Sequence, residues 1–337
     1  MRIEKGGGGR LAGWTRTPSR GRSLPGRARV LPALLLLAPA GFASAQTESP
    51  GGEEPAAAVK IRPELLPGKT YRFVTRTEMR TRLPDLGTKE MTVEQQARLD
   101  VGIRLDGRKG VAVKARTERL EVNLRSAERA LSYDSLEPKD KDTTLGRHFQ
   151  RSLNRSLDLK LDEDLRIVST EEGGRAGMED PMPDLPRFGP DELRQLVASI
   201  PQGLPEGRVK VGDDWILEGS RAVGEAGEVS FEVTYRFLGY VDFEGYRCAE
   251  IGIDGRLNGD MALPGGPDSA FSRGRMDFRG PGLEGRMLFD PLEGMVRFSE
   301  QNIRMTLEVP RGSGESPVEI PMEQRATVRL LHIVPSG

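Results

Sequence analysis

Apolar and polar residues alternate along most of this chain, and period two is the mark of half-buried strands. Tyr71, Phe73, Thr75, Thr77, Met79 and Leu83 share one parity, and Arg72, Arg76, Glu78, Arg80 and Arg82 take the other. The next run places Met91, Val93, Ala97, Leu99, Val101, Ile103 and Leu105 on one side, opposite Glu94, Gln96, Arg98, Asp100 and Arg104. It is about twice the usual strand length of five to six residues. Asp106-Gly107 then signals a turn. The return run carries Val111, Val113 and Ala115, then Leu120, Val122 and Leu124. The change of parity between Ala115 and Leu120 predicts a bulge. One apolar and one charged face predict an antiparallel meander with one side toward solvent.

Two segments depart from that period. Leu145, His148, Phe149 and Leu153 fall on one helical face within Thr144 to Asn154. Leu193, Leu196, Val197 and Ile200 make a second stripe after the start signal Pro190-Asp191, and Pro201 ends it. Gly173 to Gly189 reads as the loop leading in. Strands then resume. Trp215 and Leu217 open the second half, and Val229, Phe231, Val233, Tyr235 and Phe237 alternate with polar residues. Glu244-Gly245 turns the chain, and Ala249, Ile251 and Ile253 return. Met276, Phe278, Met287, Phe289, Phe298, Ile303, Met305, Leu307 and Val309 continue the pattern. Val318, Ile320, Met322, Ala326, Val328 and Leu330 close it.

The halves lie over each other with a shift of 138, which takes Asp106-Gly107 onto Glu244-Gly245. Val93, Ala97 and Leu99 then meet Phe231, Tyr235 and Phe237. Pro67-Gly68-Lys69-Thr70-Tyr71 resembles Val211-Gly212-Asp213-Asp214-Trp215. Leu161 to Leu165 resembles Phe289 to Gly294, each an acidic turn between short strands. The expected fold is mainly β, with long antiparallel strands and two short helices, built from two related halves. The strands form either two curved sheets or one open barrel. The expected parts are residues 1–45 as a signal peptide, 46–62 as a disordered leader, 63–175 as the first β half, 176–201 as the connector and 202–334 as the second β half.

The signal peptide rests on three adjoining features. Eight Lys/Arg stand against one acid, Glu4, in residues 1–29. The apolar run Val30 to Phe42 follows, and Ala43-Ser44-Ala45 supplies a small-x-small site. The run is too short to span a bilayer, which takes about 20 apolar residues. The reading is export to a periplasm or the exterior, with cleavage after Ala45. Cleavage removes eight cations and one anion, so the formal net charge moves from −1 to −8. That balance excludes nucleic acid as a partner, whose phosphates need a basic surface. It also opposes docking to anionic lipid. The single cysteine, Cys248, leaves no internal disulfide, and its strand position marks it as a small core residue.

Three stretches carry a resemblance: Leu65 to Phe73 (LLPGKTYRF), Val209 to Leu217 (VKVGDDWIL) and Phe289 to Ser299 (FDPLEGMVRFS). They resemble an uncharacterised family of exported bacterial β-rich proteins, over most of residues 63–334. That resemblance implies export and a β fold, with no established activity and no site residues. The pattern is more loosely similar to β-rich periplasmic carriers of lipids or lipoproteins.

Candidate chemistry is sparse. His148 and His332 stand alone, without the spacing of a zinc site. No Gly-x-Ser-x-Gly elbow occurs, so a hydrolase would have to be assembled from distant segments. Asp158, Asp162 and Asp164, like Asp140 and Asp142, read as turn residues rather than calcium ligands. Trp215 reads as a core anchor. No catalytic, cofactor-binding or metal residue is assigned, and no cofactor is expected. The leading functional reading is a non-enzymatic binding module of the cell envelope, its ligand a lipid or another apolar molecule, or its partner another envelope protein. The alternatives are an interaction domain with a filled core, and a hydrolase.

Overall fold

A computed structural model describes residues 58–336, apart from 84–86, 128–129, 154, 174–188, 206, 223–226, 263–274, 278–281, 310–315 and 317. The expected signal peptide, nearly all of the expected leader and most of the Gly173–Gly189 stretch lie outside the described residues. In chain order the elements are β1 (Val59–Lys60), β2 (Lys69–Leu83), β3 (Gly87–Ile103), β4 (Val111–Arg125), β5 (Ala130–Asp134), α1 (Pro138–Lys141), α2 (Thr144–Leu153), β6 (Ser156–Leu161) and β7 (Ile167–Gly173). Then come α3 (Pro190–Ser199), β8 (Arg208–Val209), β9 (Asp214–Ala222), β10 (Gly227–Phe243), β11 (Tyr246–Ala262), β12 (Arg275–Asp277), β13 (Leu283–Asp290), β14 (Met295–Val309) and β15 (Val318–Pro335). The two expected helices are α2 and α3. The four-residue α1 is an addition that has no buried face.

Among the described residues thirteen strands form one antiparallel sheet, in the order β7-β6-β4-β3-β2-β15-β14-β12-β11-β10-β9, with β13 between β11 and β14 and β5 beside β4. The choice left open by the sequence is therefore resolved as one continuous open sheet with edges β7 and β9. The halves meet where β2 pairs with β15. They also repeat one topology. The first part of β4 pairs with β6 and its far part with β5. The first part of β11 pairs with β13 and its far end with β12. The shift of 138 carries Val111 of β4 onto Ala249 of β11, where each of these pairings begins. The turns differ, however. Ile103 pairs with Val111 across a long connection, whereas Phe243 pairs with Tyr246 across Glu244-Gly245 alone. Both Glu244 and Gly245 have positive φ there, as a tight primed turn requires.

Parity translated into burial almost everywhere. Tyr71, Phe73, Thr75, Thr77 and Met79 all face inward, as do Met91, Val93, Ala97, Leu99 and Val101. The bulge falls where the parity broke: Gln96 pairs with Arg119 and Ala97 with Thr117, leaving Glu118 between. Ile103 and Leu105 are the exception. They continue the inward parity but are exposed: Ile103 is the last residue of β3, paired with Val111 at the end of the sheet, Leu105 lies in the turn beyond, and Arg104 between them is buried instead.

The inner face holds two apolar clusters. One joins Met79, Val93, Leu120 and Phe149 with Trp215, Phe231, Ile251, Leu283 and Met322. The other joins Tyr71, Phe73, Leu99, Val113 and Leu159 with Leu193, Leu196, Val197 and Ile200 of the α3 region. Between them runs a buried polar belt of Thr75, Thr77, Gln95, Thr117 and Gln324. Gln95 Nε2 donates to Thr117 Oγ1 at 2.6 Å within it.

Tyr133 sits in the first cluster, its ring 5.1 Å from Phe149. Its buried hydroxyl has no hydrogen-bond partner among the described residues, and burial pushes its pKa up to about 12. An unsatisfied buried hydroxyl costs about 1–3 kcal/mol. Tyr133→Phe should therefore raise the unfolding free energy by about 1 kcal/mol, measured by urea titration. A drop of that size would show that the hydroxyl does have a partner.

Candidate functional site

A small cavity of about 50 Å³ lies on the inner face. Phe73 of β2 and Tyr235 of β10 both line it, together with Met287, Met295, Val296, Ser299, Gln301, Ala326 and Val328. These two strands stand five places apart in the sheet, about 24 Å if it were flat. Sharing one small cavity means that the sheet curls. Leu196, Ser199 and Ile200 of the α3 region, with Gln202, close the cavity from the open side.

Local sequence explains how α3 is held there. Pro190 occupies its first turn, and Glu192 accepts a 2.5 Å hydrogen bond from the Gly189 amide. Leu193, Leu196 and Val197 turn toward the sheet. At the far end Ser199 Oγ donates to the Leu196 carbonyl at 2.7 Å, and Pro201 stops the helix. Gly203 then enters the left-handed region at φ 70° and lies against the Tyr235 ring. Trp215 Nε1 donates to the Gly203 carbonyl at 3.1 Å, and the Trp215 ring stacks on Tyr235 at 6.0 Å. Trp215 is thus the core anchor expected of it, and it anchors the loop that closes the cavity. Full burial pushes the Tyr235 phenol above its ordinary range.

The lining carries no charged side chain. Ser299 and Gln301 extend the polar belt of β2, β3, β4 and β15 onto β14. Methionine is frequent on the inner face, with Met79, Met91, Met287, Met295, Met305 and Met322 all buried. Unbranched thioethers adapt to irregular shapes.

Glu192 gives α3 a pH dependence. Burial, the larger effect, raises its carboxyl to about 7, against the lowering pull of the Gly189 amide. An acid whose folded pKa is raised binds its proton more tightly folded than unfolded. Its contribution is therefore favourable at low pH and is lost as pH rises from the ordinary carboxylate range through about 7. Glu192→Gln keeps an oxygen for the Gly189 amide and removes the titration. The difference in melting temperature between variant and wild type should grow in the variant's favour between pH 5 and pH 8. A constant difference would mean that Glu192 does not titrate there.

The sequence-named candidates lie elsewhere. His148 is buried on α2, edge-on to Phe149 at 4.8 Å. His332, on β15, has Nε2 3.3 Å from Arg72 Nη1. Neither lines the cavity. Asp162 Oδ1 accepts amide hydrogen bonds from Asp164 and Arg166, and Asp140 Oδ2 accepts one from Asp134, so these acids shape turns. Cys248 is buried, and its thiol is pushed up to about 11, chiefly by burial. Among the described residues no group of three or more His, Cys, Asp or Glu is placed to hold a metal ion.

One polar constellation was missed. Asp290 and Arg297 form a buried pair beside the β13–β14 turn, with side chains 1% and 5% exposed. Arg297 donates twice to Asp290 Oδ2, at 3.0 and 2.9 Å, and lies 3.5 Å from the Tyr246 ring centroid. Asp290 Oδ1 accepts from the Leu292 and Glu293 amides.

No family model matches the chain, so the family resemblance suggested by the sequence has no match to stand on, and no curated protein matches either. Among solved structures the chain is similar to lipovitellin, from a study of its lipid–protein interactions, at 11% identity and a TM-score of 0.34. That match covers 81% of this chain and 26% of lipovitellin's. DynF, from the dynemicin biosynthesis pathway of Micromonospora chersina, matches at 8% identity and a TM-score of 0.20, over 86% of this chain and 92% of its own. An outer membrane channel from Pseudomonas putida F1 matches at 11% identity and a TM-score of 0.17, over 80% and 97%. Likenesses at these scores carry no argument.

Proposed function

We propose that the chain is a non-enzymatic, exported binding module that takes a long neutral amphiphile against the inner face of its curled sheet. The observation that carries this reading is the uncharged cavity between that face and α3. At about 50 Å³ it is far below the roughly 300–1,000 Å³ of a ligand site. The ligand therefore takes the place of α3. A ten-residue helix is about 15 Å long and about 10 Å wide, so its withdrawal frees on the order of 1,000 Å³.

The same comparison sets ligand length. Undocking exposes Leu193, Leu196, Val197 and Ile200, at about 2 kcal/mol each, or about 8 kcal/mol together. At about 0.8 kcal/mol per buried methylene, about ten carbons offset that cost. Longer chains bind and shorter ones do not. An uncharged lining disfavours a free carboxylate, and the Ser299 and Gln301 side chains suit an ester or hydroxyl.

The test is native mass spectrometry of the purified protein with monoacylglycerols of increasing chain length. Binding that begins near the break-even length and exceeds that of the matching fatty acids is expected. Absence of binding at every length would overturn the reading. The small resting cavity favours a second reading, an interaction domain with a filled core. That reading predicts a partner protein and no lipid adduct.

A further inference from the structure

The turns at one end of the sheet form a continuous rim. Antiparallel register places the β3–β4 connection, the start of β2 and the end of β15 on the same side. It brings the β10–β11 and β13–β14 turns there too. Residues 62–68 lace these turns together. Arg62 donates to the Glu163 carbonyl at 2.9 Å, the Glu64 amide to the Gly294 carbonyl at 2.8 Å, and the Gly68 amide to the Val101 carbonyl at 2.8 Å.

Large apolar side chains project from this rim. Leu105 is 100% exposed, Leu292 94% and Ile103 72%, with Leu66 and Val211 also exposed. Leu105 and Leu292 stand at the points of separate turns, where no side chain shields them. Ile103 ends β3, still paired with Val111, and Leu105 lies in the turn beyond it.

Charge sets the kind of partner. Several acids of the rim are paired within it: Asp106 with Arg104 at 2.6 Å, Asp164 with Arg62 at 3.2 Å, and Glu163 with Lys109 at 3.4 Å. Arg329 pairs with Glu244. The processed chain as a whole carries −8, which repels an anionic surface. An end with several acids paired and separate apolar points fits a surface that is uncharged overall and accepts side chains singly. A protein interface would instead gather its apolar residues into one packed patch.

We infer that this rim docks on a zwitterionic lipid surface, inserting Leu105 and Leu292 at the headgroup boundary. The inference rests on different residues from the ligand reading and stands or falls separately from it. The experiment is co-sedimentation of the processed protein with phosphatidylcholine vesicles, beside the double variant Leu105→Asp/Leu292→Asp. Both side chains are exposed, so the variant should keep its circular dichroism and melting temperature. Wild type should bind the vesicles, insensitively to salt, and the variant should bind at least about tenfold more weakly. Equal binding by variant and wild type would overturn the inference. So would binding only to phosphatidylglycerol vesicles that salt abolishes, or a wild-type dimer that the variant breaks without any vesicle binding.

Discussion

Arg297→Ala should lower the unfolding free energy by about 3–5 kcal/mol, the cost of stranding one member of a buried ion pair. Asp290 is 1% exposed, and the guanidinium supplies both hydrogen bonds to its Oδ2. Removing that group leaves a carboxylate with no route to water. Set against a typical stability of about 5–15 kcal/mol, the loss is large. In thermal denaturation it corresponds to a fall on the order of 10 °C. The variant also loses the contact between Arg297 and the Tyr246 ring. Asp290→Asn/Arg297→Met tests the cause. Asparagine keeps an oxygen for the Leu292 and Glu293 amides, and neither residue is then charged. The double variant should recover part of the loss. If Arg297→Ala costs under about 1 kcal/mol, the carboxylate reaches water or another donor, and the pair is not what holds the hairpin.

Strands were legible in this sequence because period two is a local property. Each inward residue from Tyr71 to Met79 announces its face without reference to any partner. The bulge at Glu118 was legible for the same reason, since an extra residue must flip the parity of every later position in the strand. Burial is not local, and here the reading failed. Ile103 and Leu105 carry the right parity, yet Ile103 sits at the last pair of the sheet and Leu105 in the turn beyond it, and both are exposed. The four residues of α1 gave no signal, having no apolar face to bury. Gly68 and Gly212 both precede a strand with positive φ, but the expected overlay of Asp106-Gly107 on Glu244-Gly245 does not hold in register, because one connection is long and the other is two residues.

The cavity was not legible at all. Its walls come from β2, β10, β13, β14, β15 and the α3 region, and they meet only because the sheet curls. Asp290 and Arg297 were each visible, Asp290 as a turn residue. Their pairing depends on the register shift between Leu288 and Phe289, which no spacing rule reveals. The belt of Thr75, Thr77 and Gln95 was visible as residues of inward parity. What it means emerges only once Ser299 and Gln301 are seen to continue it. Polar groups on an inward face are a usable signal for such a site, provided several neighbouring strands carry them at the same height.

Gly203→Ala should be the second most damaging substitution, and it also probes the link between α3 and the sheet. The residue has φ 70°, a region that costs an L-residue about 1–2 kcal/mol. A Cβ there would also lie 2.3 Å from Cε1 of Tyr235. The ring cannot retreat, because it is buried and stacked on Trp215. The loop must therefore lift, breaking the hydrogen bond from Trp215 Nε1 to the Gly203 carbonyl. A combined loss of about 3 kcal/mol is expected. Trp215 fluorescence should shift to the red as its indole loses the carbonyl and gains water. The loop that lifts is the one that closes the cavity, so the functional consequence runs opposite to the stability. With α3 already loosened, the ligand no longer has to undock it. Gly203→Ala should bind monoacylglycerols of shorter chain than wild type does, while melting at a lower temperature. A variant that is destabilised but shows the same chain-length threshold would separate the two effects, and α3 would then be a structural plug rather than the element a ligand displaces.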